Sequence, residues 1–529
     1  MKAKHWLIGF FAVVLGLMAI IGGTIYYIDP YMHFHYPHTD KFYYELNNER
    51  SQNYGIVKQF DYDALITGSS MTQNFKASEM DKIFGTNSIK ATFAGSPYKE
   101  TGDLIRFALE YNDKLRTVVC SMDGAMLMWH KDTVRSDLGK HPDYLYDDNP
   151  FNDVKYLCNK DVLFNVIFPM LRPDDANAPV SGITSFDAYG SWYQDGIHFF
   201  GINTILPNGV PSAPSEEKEV LHLSDTERET IRESIAQNIT SNAAAHPEVT
   251  FYYFIPPYSA DYWREQLYAG TLVRQIEAEQ YAIEMLLEHD NIKLFSFYNC
   301  TDITTDLNNY MDSCHYGEWV NSLILEWMHE GKYQLTKENY LDYLAEEREF
   351  YTSFDYSTLA DQPDYEADRY AAALLNVKEH SLTPRNLLES PSRVELSSAS
   401  YSSNDAEPEI TCAGYIPSNF GPISTLPDYF LTQDYVGAKI TAENDCGYKY
   451  LVFSARCNSD FGQLTVFAYN NKGEVVAELK EAFETMDEDY HMYTLDISAI
   501  EGDMTIILNG GFLMGEADTS FSFKDIYLY

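Results

Sequence analysis

The order of apolar and polar positions divides the chain into three stretches. Trp6 to Ile28 holds no charged residue over 23 positions, about 34 Å if helical, which predicts a helix long enough to cross a bilayer. From Asp29 onward short apolar runs alternate with segments of helical period. Tyr62 to Thr67, Ile89 to Ala94, Thr117 to Met122, Val249 to Ile255 and Ile292 to Phe297 read as strands, and Gly102 to Tyr111, Asp225 to Ala245 and Trp263 to His289 as helices. Ser224 and Glu227 make a capping box for the second helix. Strands alternating with helices imply an α/β fold, a parallel sheet with helices on both faces. Lys337 to Phe350 and Asp364 to Val377 read as peripheral helices, with Glu346, Glu347 and Glu349 as a solvated face. Tyr448 to Arg456, Gln463 to Tyr469, Glu474 to Leu479, His491 to Ile497, Met504 to Leu508 and Ser520 to Tyr529 are short strands at regular spacing. Asn470 to Gly473 is a hairpin turn between two of them, and the set predicts a β-sandwich.

The boundaries follow: an anchor at 1–29, an α/β domain at 30–380, a linker at 381–412 rich in Ser, Pro, Asn and Glu, and a β-sandwich at 413–529. Residues 124–223 interrupt the α/β pattern with Pro, Asp and aromatics such as Trp129, Trp192 and Tyr193. So long a stretch without structure is improbable, so it predicts a subdomain or lid over the sheet edge.

The first predicted strand stops at Gly68-Ser69-Ser70. In open α/β sheets ligands bind at the carboxyl ends of strands, and the next helical turn aims backbone N–H groups at developing negative charge. Ser70 is therefore placed as a nucleophile, which requires a histidine oriented by a carboxylate. Asp312 and His315, in Tyr310-Met311-Asp312-Ser313-Cys314-His315-Tyr316, follow the last predicted strand of the sheet and have the spacing for it. Asp195 and His198 share that spacing but lie in the insertion, ahead of two of the predicted strands and following no strand of their own. Downstream, Trp319, Leu323, Ile324 and Trp327 fall at helical spacing and predict a core-facing stripe. Backbone N–H groups of Ser70 and Gly95 are candidate oxyanion donors.

With these two blocks the chain resembles the SGNH or GDSL hydrolases, which carry an early Gly-Asp-Ser-like block and a late Asp-x-x-His. The resemblance implies an SGNH-type fold with Ser70 as nucleophile, His315 as base and Asp312 as the orienting acid. Gly95 matches the second block of that family loosely. Its third block, Gly-x-Asn-Asp, is replaced by Cys120-Ser121-Met122-Asp123-Gly124. An ionised Asp123 in the oxyanion hole would repel the transition state, so Asn74 is the candidate for the missing donor, and Asp123 is a candidate contact for a substrate hydroxyl. Together with the N-terminal apolar helix, the blocks are most similar to D-alanyl-lipoteichoic acid biosynthesis proteins. That likeness implies esterase or O-acyltransferase chemistry on a cell-envelope glycan or teichoic acid, beside a membrane-bound O-acyltransferase.

Charge changes this picture in one respect. With 79 Asp and Glu against 37 Lys and Arg, the net charge of −42 excludes the basic footprint that nucleic acid requires. Lys2 and Lys4 before the apolar stretch and Asp29 after it orient the N-terminus to the cytoplasm and the remainder outside. The residues after the stretch offer no small-x-small cleavage site, so a single-pass cell-membrane anchor is expected, with a cleaved signal peptide as the alternative. Seven cysteines are too few for a disulfide framework; Cys446 and Cys457 are a candidate bridge, and Cys120 reads as core. No C-x-x-C pair or His cluster has zinc-ligand spacing, and the chemistry calls for no metal or cofactor. Two further readings stay open: a glycan-binding assembly protein with a vestigial triad, and an adhesin acting through its β-sandwich.

Overall fold

The computed structural model describes residues 2–135, 141–147, 149–172, 179–193, 200–206, 209–215, 218–362, 382–389, 394–397, 399–402, 409–414, 437–444, 447–458, 462–473, 475–483, 486, 490–500, 502–512 and 519–529. They form two compact units, Met1–Gln194 with Ile205–Ala360, and Asp195–Thr204 with Asp361–Tyr529.

The first unit begins with helix α1, Lys2–Ile28, long and apolar enough to cross a membrane. It ends at Asp29, whose φ of 47° takes the backbone out of the helical region. The strands are β1 Tyr43–Tyr44, β2 Ala64–Thr67, β3 Ser88–Lys90, β4 Thr117–Ser121, β5 Gly182–Ile183, β6 Thr250–Ile255, β7 Ile292–Ser296 and β8 Gln334–Leu335. Six of them build one sheet in the order β3-β2-β4-β6-β7-β8. Pairings through β7 are parallel, and β8 closes the edge antiparallel. Every residue of β2 and β3 is buried, so both faces are covered there, as a continuous apolar run requires. The chain leaves β2 for β3 on one side and then passes to β4 on the other. That reversal puts a crevice at the carboxyl ends of β2 and β4.

Helices α2 Glu49–Gln59, α3 Ala77–Phe84 and α4 Tyr98–Tyr111 lie between the early strands. The Ser224–Glu227 capping box forms in both directions. The predicted helix Trp263 to His289 is two helices, Ala260–Ala269 and Leu272–Leu286. Gly270, with φ 76°, takes the left-handed conformation that ends the first. In the insertion lie α5 Val154–Leu157, a π-helical turn Val162–Ile167 and α6 Phe168–Leu171. Strand β5 pairs in parallel with β1.

In the second unit the sheets are antiparallel and compatible with a sandwich. One runs Val394–Ser397, Gly437–Asn444, Gly502–Phe512, Gly462–Tyr469, Val475–Phe483, and the other Ala399–Ser402, Glu409–Gly414, Thr519–Leu528, Tyr450–Cys457, His491–Asp496. Ile440, Val466 and Leu508 share an apolar cluster with Ile410, Phe453 and Phe523 of the facing sheet. The predicted linker 381–412 is corrected here. Val394 and Leu396 pair with Ile440 and Ala438, and Ile410 and Cys412 with Phe523 and Phe521, so this polar stretch supplies strands to both sheets. Asp364 to Val377, Cys446, Asp195 and His198 lie outside the described residues; Cys457 is buried.

A second correction concerns Glu347, expected on a solvated face. It is fully buried on helix Tyr340–Ser353, beside Glu279, itself fully buried. Two carboxyl groups in contact need a proton between them. Burial, and for Glu347 also the charge of Glu279, raises both above the ordinary 4.5. The unfolded chain loses this proton above that value while the folded chain keeps it. Stability should therefore fall as pH rises, by up to about 1.4 kcal/mol per pH unit for each retained proton. Urea unfolding between about pH 5 and about pH 8 measures the slope, and Glu347→Gln should flatten it.

Candidate functional site

Ser70 stands one short turn beyond β2. Thr67 fixes the strand end by donating to the Ala91 carbonyl at 2.7 Å. Gly68 follows with φ 131°, and a Cβ there would lie 2.6 Å from Ser121 Oγ, so the turn needs glycine. Ser69 then caps the 3₁₀ turn Ser70–Thr72, its Oγ accepting from the Met71 N–H at 3.2 Å. Ser70 is left half-buried at the carboxyl end of the sheet.

Asp312 shapes the loop that carries the histidine. Its Oδ1 accepts the backbone N–H of Cys314 at 2.8 Å and of His315 at 2.7 Å. Its Oδ2 lies 2.7 Å from His315 Nδ1. The loop is tied to the end of β6, with Ser259 donating from N and Oγ to the Ser313 carbonyl at 3.0 and 2.8 Å. From helix Glu318–Glu330, Asn321 Nδ2 donates to the Met71 carbonyl at 2.9 Å. These ties bring His315 Nε2 to 2.8 Å from Ser70 Oγ, across 245 residues of sequence. With Nδ1–H donated to Asp312, Nε2 accepts the Ser70 hydroxyl. The three residues picked from sequence thus meet in one relay.

Asp123, the candidate substrate contact, is placed elsewhere. It is 4% exposed, with Oδ2 accepting from Ser69 Oγ at 2.6 Å and Ser121 Oγ at 3.2 Å. Its Oδ1 accepts from Tyr258 OH at 2.7 Å. Both oxygens are occupied beneath the Ser69 turn, so it faces neither the oxyanion position nor a substrate hydroxyl. Asn74 is 3% exposed. Its Oδ1 accepts from Ser191 Oγ at 3.2 Å and from the Tyr193 N–H at 3.1 Å, which turns Nδ2 the other way. Gly95 has φ 57°, and a Cβ there would fall on Arg135 Nη1; Arg135 donates to the Ala94 carbonyl at 3.1 Å. Among the described residues no chain acceptor takes the backbone N–H of Ser70 or Gly95. A cleft of about 450 Å³ opens beside Gly95, lined also by Pro97, Met126, Trp129 and Val134.

Sequence reasoning missed two participants. Trp192 donates from Nε1 to the Ser70 carbonyl at 3.2 Å, and its ring meets His315 edge-on at 5.7 Å. Its position in an aromatic-rich insertion after the strand-ending serine was the only signal. Glu49 accepts the Ala94 backbone N–H at 2.6 Å and the Gln73 side-chain amide at 2.5 Å, linking the chain after β3 to the chain after the Ser70 turn. Trp319 departs from its expected core role. Its ring folds over Gly317, 39% exposed, and stands 6.1 Å from Tyr193. Among the described residues no group of three or more His, Cys, Asp and Glu side chains is arranged to hold a metal ion.

The electrostatics suit a base. Burial disfavours the imidazolium, but the hydrogen bond and charge of Asp312, with the charge of Asp123 behind, outweigh it and hold His315 above its ordinary 6.5. For Asp312, burial favours the neutral acid, and His315 with the two N–H donors reverses this, holding the carboxyl below 3.8. Burial lifts Asp123 above 3.8 against its three hydroxyl donors and the charge of His315.

No protein-family model and no curated protein matches the chain. Among solved structures it is similar to a protein described as a platelet activating factor from Streptococcus pneumoniae, at 11% identity and a TM-score of 0.25, covering 56% of this chain and 91% of that one. The K3 cleaved adhesin domain of Lys-gingipain from Porphyromonas gingivalis is similar at 10% identity and a TM-score of 0.18, covering 28% and 97%. A family 11 carbohydrate-binding module of a cellulosomal cellulase from Clostridium thermocellum is similar at 11% and 0.16, covering 26% and 81%.

Histidine-selective NMR checks the coupling of these groups. His315, assigned by the signal lost in His315→Gln, should titrate above 6.5. Asp312→Asn should lower that midpoint, and Asp123→Asn should lower it less.

Proposed function

We propose that the chain is an extracytoplasmic serine esterase or O-acyltransferase of SGNH type, anchored by α1 and acting on acyl esters of a cell-envelope polysaccharide or teichoic acid. One observation carries this reading: the relay from Ser70 Oγ to His315 Nε2 at 2.8 Å and from His315 Nδ1 to Asp312 at 2.7 Å. The likeness in the two sequence blocks supplies the substrate class. The membrane-compatible helix supplies the location.

In this mechanism Ser70 Oγ attacks the ester carbonyl and its proton passes to His315 Nε2. Asp312 stabilises the imidazolium and holds the tautomer that left Nε2 open. Charge on the former carbonyl oxygen is met by the N–H groups of Ser70 and Gly95 and by Asn74 Nδ2, each worth about 3 kcal/mol in a preorganised site. Collapse of the tetrahedral intermediate expels the alcohol, which takes the proton from His315, and leaves the acyl group on Ser70. A glycan hydroxyl or water, deprotonated by His315, then attacks the acyl-enzyme and regenerates the serine. The cleft beside Gly95 gives the acyl group a place to lie. A membrane-bound O-acyltransferase is the partner this reading assigns on the donor or acceptor side.

A fluorophosphonate probe on the full-length protein tests the proposal. The wild type should label, Ser70→Ala should not, and His315→Ala should label slower by about 10³-fold or more. A folded wild type that fails to label sinks the enzymatic reading and leaves a glycan-binding protein with a vestigial triad.

A further inference from the structure

The segment 151–171 carries apolar surface that the catalytic reading does not use. Val162–Leu171 is a short apolar helix, a π turn running into α6. Phe151 is 89% exposed, Phe164 61%, Phe168 55% and Leu171 54%. Aromatic side chains left this bare in a group call for an apolar environment.

The other side of the segment is fastened to the end of α1. Tyr156, Val162 and Ile167 share an apolar cluster with Ile25, Ile28 and Tyr31. Tyr156 OH donates to Asp29 Oδ1 and accepts the Tyr31 N–H, both at 3.0 Å. His33 Nε2 lies 3.1 Å from Asp153. Asp29 in turn accepts the N–H groups of His33, Phe34 and His35 at 3.1, 2.7 and 3.0 Å. The segment cannot lift away from α1 without breaking this knot.

Depth then follows from length. About 20 helical residues span the hydrocarbon of a bilayer. Counted from Trp6, the far boundary falls by Tyr26 and Tyr27, half-exposed rings of the kind that sit at headgroup level. Leu157 meets α1 at Gly22, four residues or about 6 Å deeper. Interfacial helices bury their apolar face to about 5–10 Å. A net charge of −42 offers anionic lipids no attraction, so contact here is apolar.

The geometry points to a second membrane contact: residues 151–171 lie in the outer leaflet beside α1, with Phe164, Phe168 and Leu171 among the acyl chains. This rests on the reading of α1 as a membrane anchor. Nitroxide labels on the full chain in lipid nanodiscs test it. The background is Cys158→Ser, which removes the thiol that is exposed among the described residues, and the parent spectrum is subtracted. Phe164→Cys and Phe168→Cys report the segment, Leu15→Cys reports α1, and Leu341→Cys reports an exposed site on helix Tyr340–Ser353. Oxygen should relax the labels at 15, 164 and 168, and a water-soluble nickel chelate only the label at 341. The oxygen-to-nickel ratio at 164 and 168 should lie between those at 15 and 341. Nickel access at 164 and 168 with lipid access at 15 overturns the proposal and leaves the anchor standing. Exclusion of both relaxants there means protein covers the segment, a second copy or a membrane partner, and also overturns it. Nickel access at 15 overturns the anchor itself.

Discussion

The site depends on one buried carboxyl group. Asp123 follows β4, Ser69 follows β2 and Tyr258 follows β6, so three neighbouring strand ends converge on the same two oxygens. A carboxylate taken this far from water is costly unless donors replace its hydration, and the hydroxyls of Ser69, Ser121 and Tyr258 do so. Strand pairing sets the strands side by side, and Asp123 draws their loops together above the sheet. The Ser69 turn then has one position, and Ser70, next along the chain, inherits it. Asp123 thus acts as a tie between loops, through three hydroxyl donors.

His315 is positioned by separate means. Its loop is folded by Asp312 acting as an Asx cap and as the imidazole's partner at once. The loop is then fixed to Ser259 after β6. One carboxylate therefore serves backbone order and tautomer choice together, which keeps an element 245 residues away in register with Ser70. Asp123 adds charge from below without touching the ring.

The parts legible in the sequence were those with a short-range signature. The apolar run ending in Gly68-Ser69-Ser70 announces a buried strand and a turn, and Asp312 with His315 announces a local pair. Trp192 had no such signature. It reaches Ser70 and His315 only because the insertion folds back, and no periodicity records that. Glu347 was misread because charge predicts exposure, and only a second carboxyl on another helix reverses the expectation. Helical spacing found the stripe that contains Trp319 but not its exposure, which comes from the tight Gly317 junction at the helix start. The alternation of Val394 with Leu396 and of Ile410 with Cys412 was there to be seen, diluted by serine.

Under the proposed function, the turn at Asp29 governs how Ser70 would meet its substrate. Because Asp29 ends α1 and at once binds His33, Phe34, His35 and Tyr156, no slack tether separates α1 from the chain that follows it. With α1 in a bilayer, the serine stands at a set altitude above the lipid, and its search is confined to a plane. A polymer rooted in the same membrane would then present to it only those ester positions at that height, so the length of the polymer's own stem would decide which units are processed.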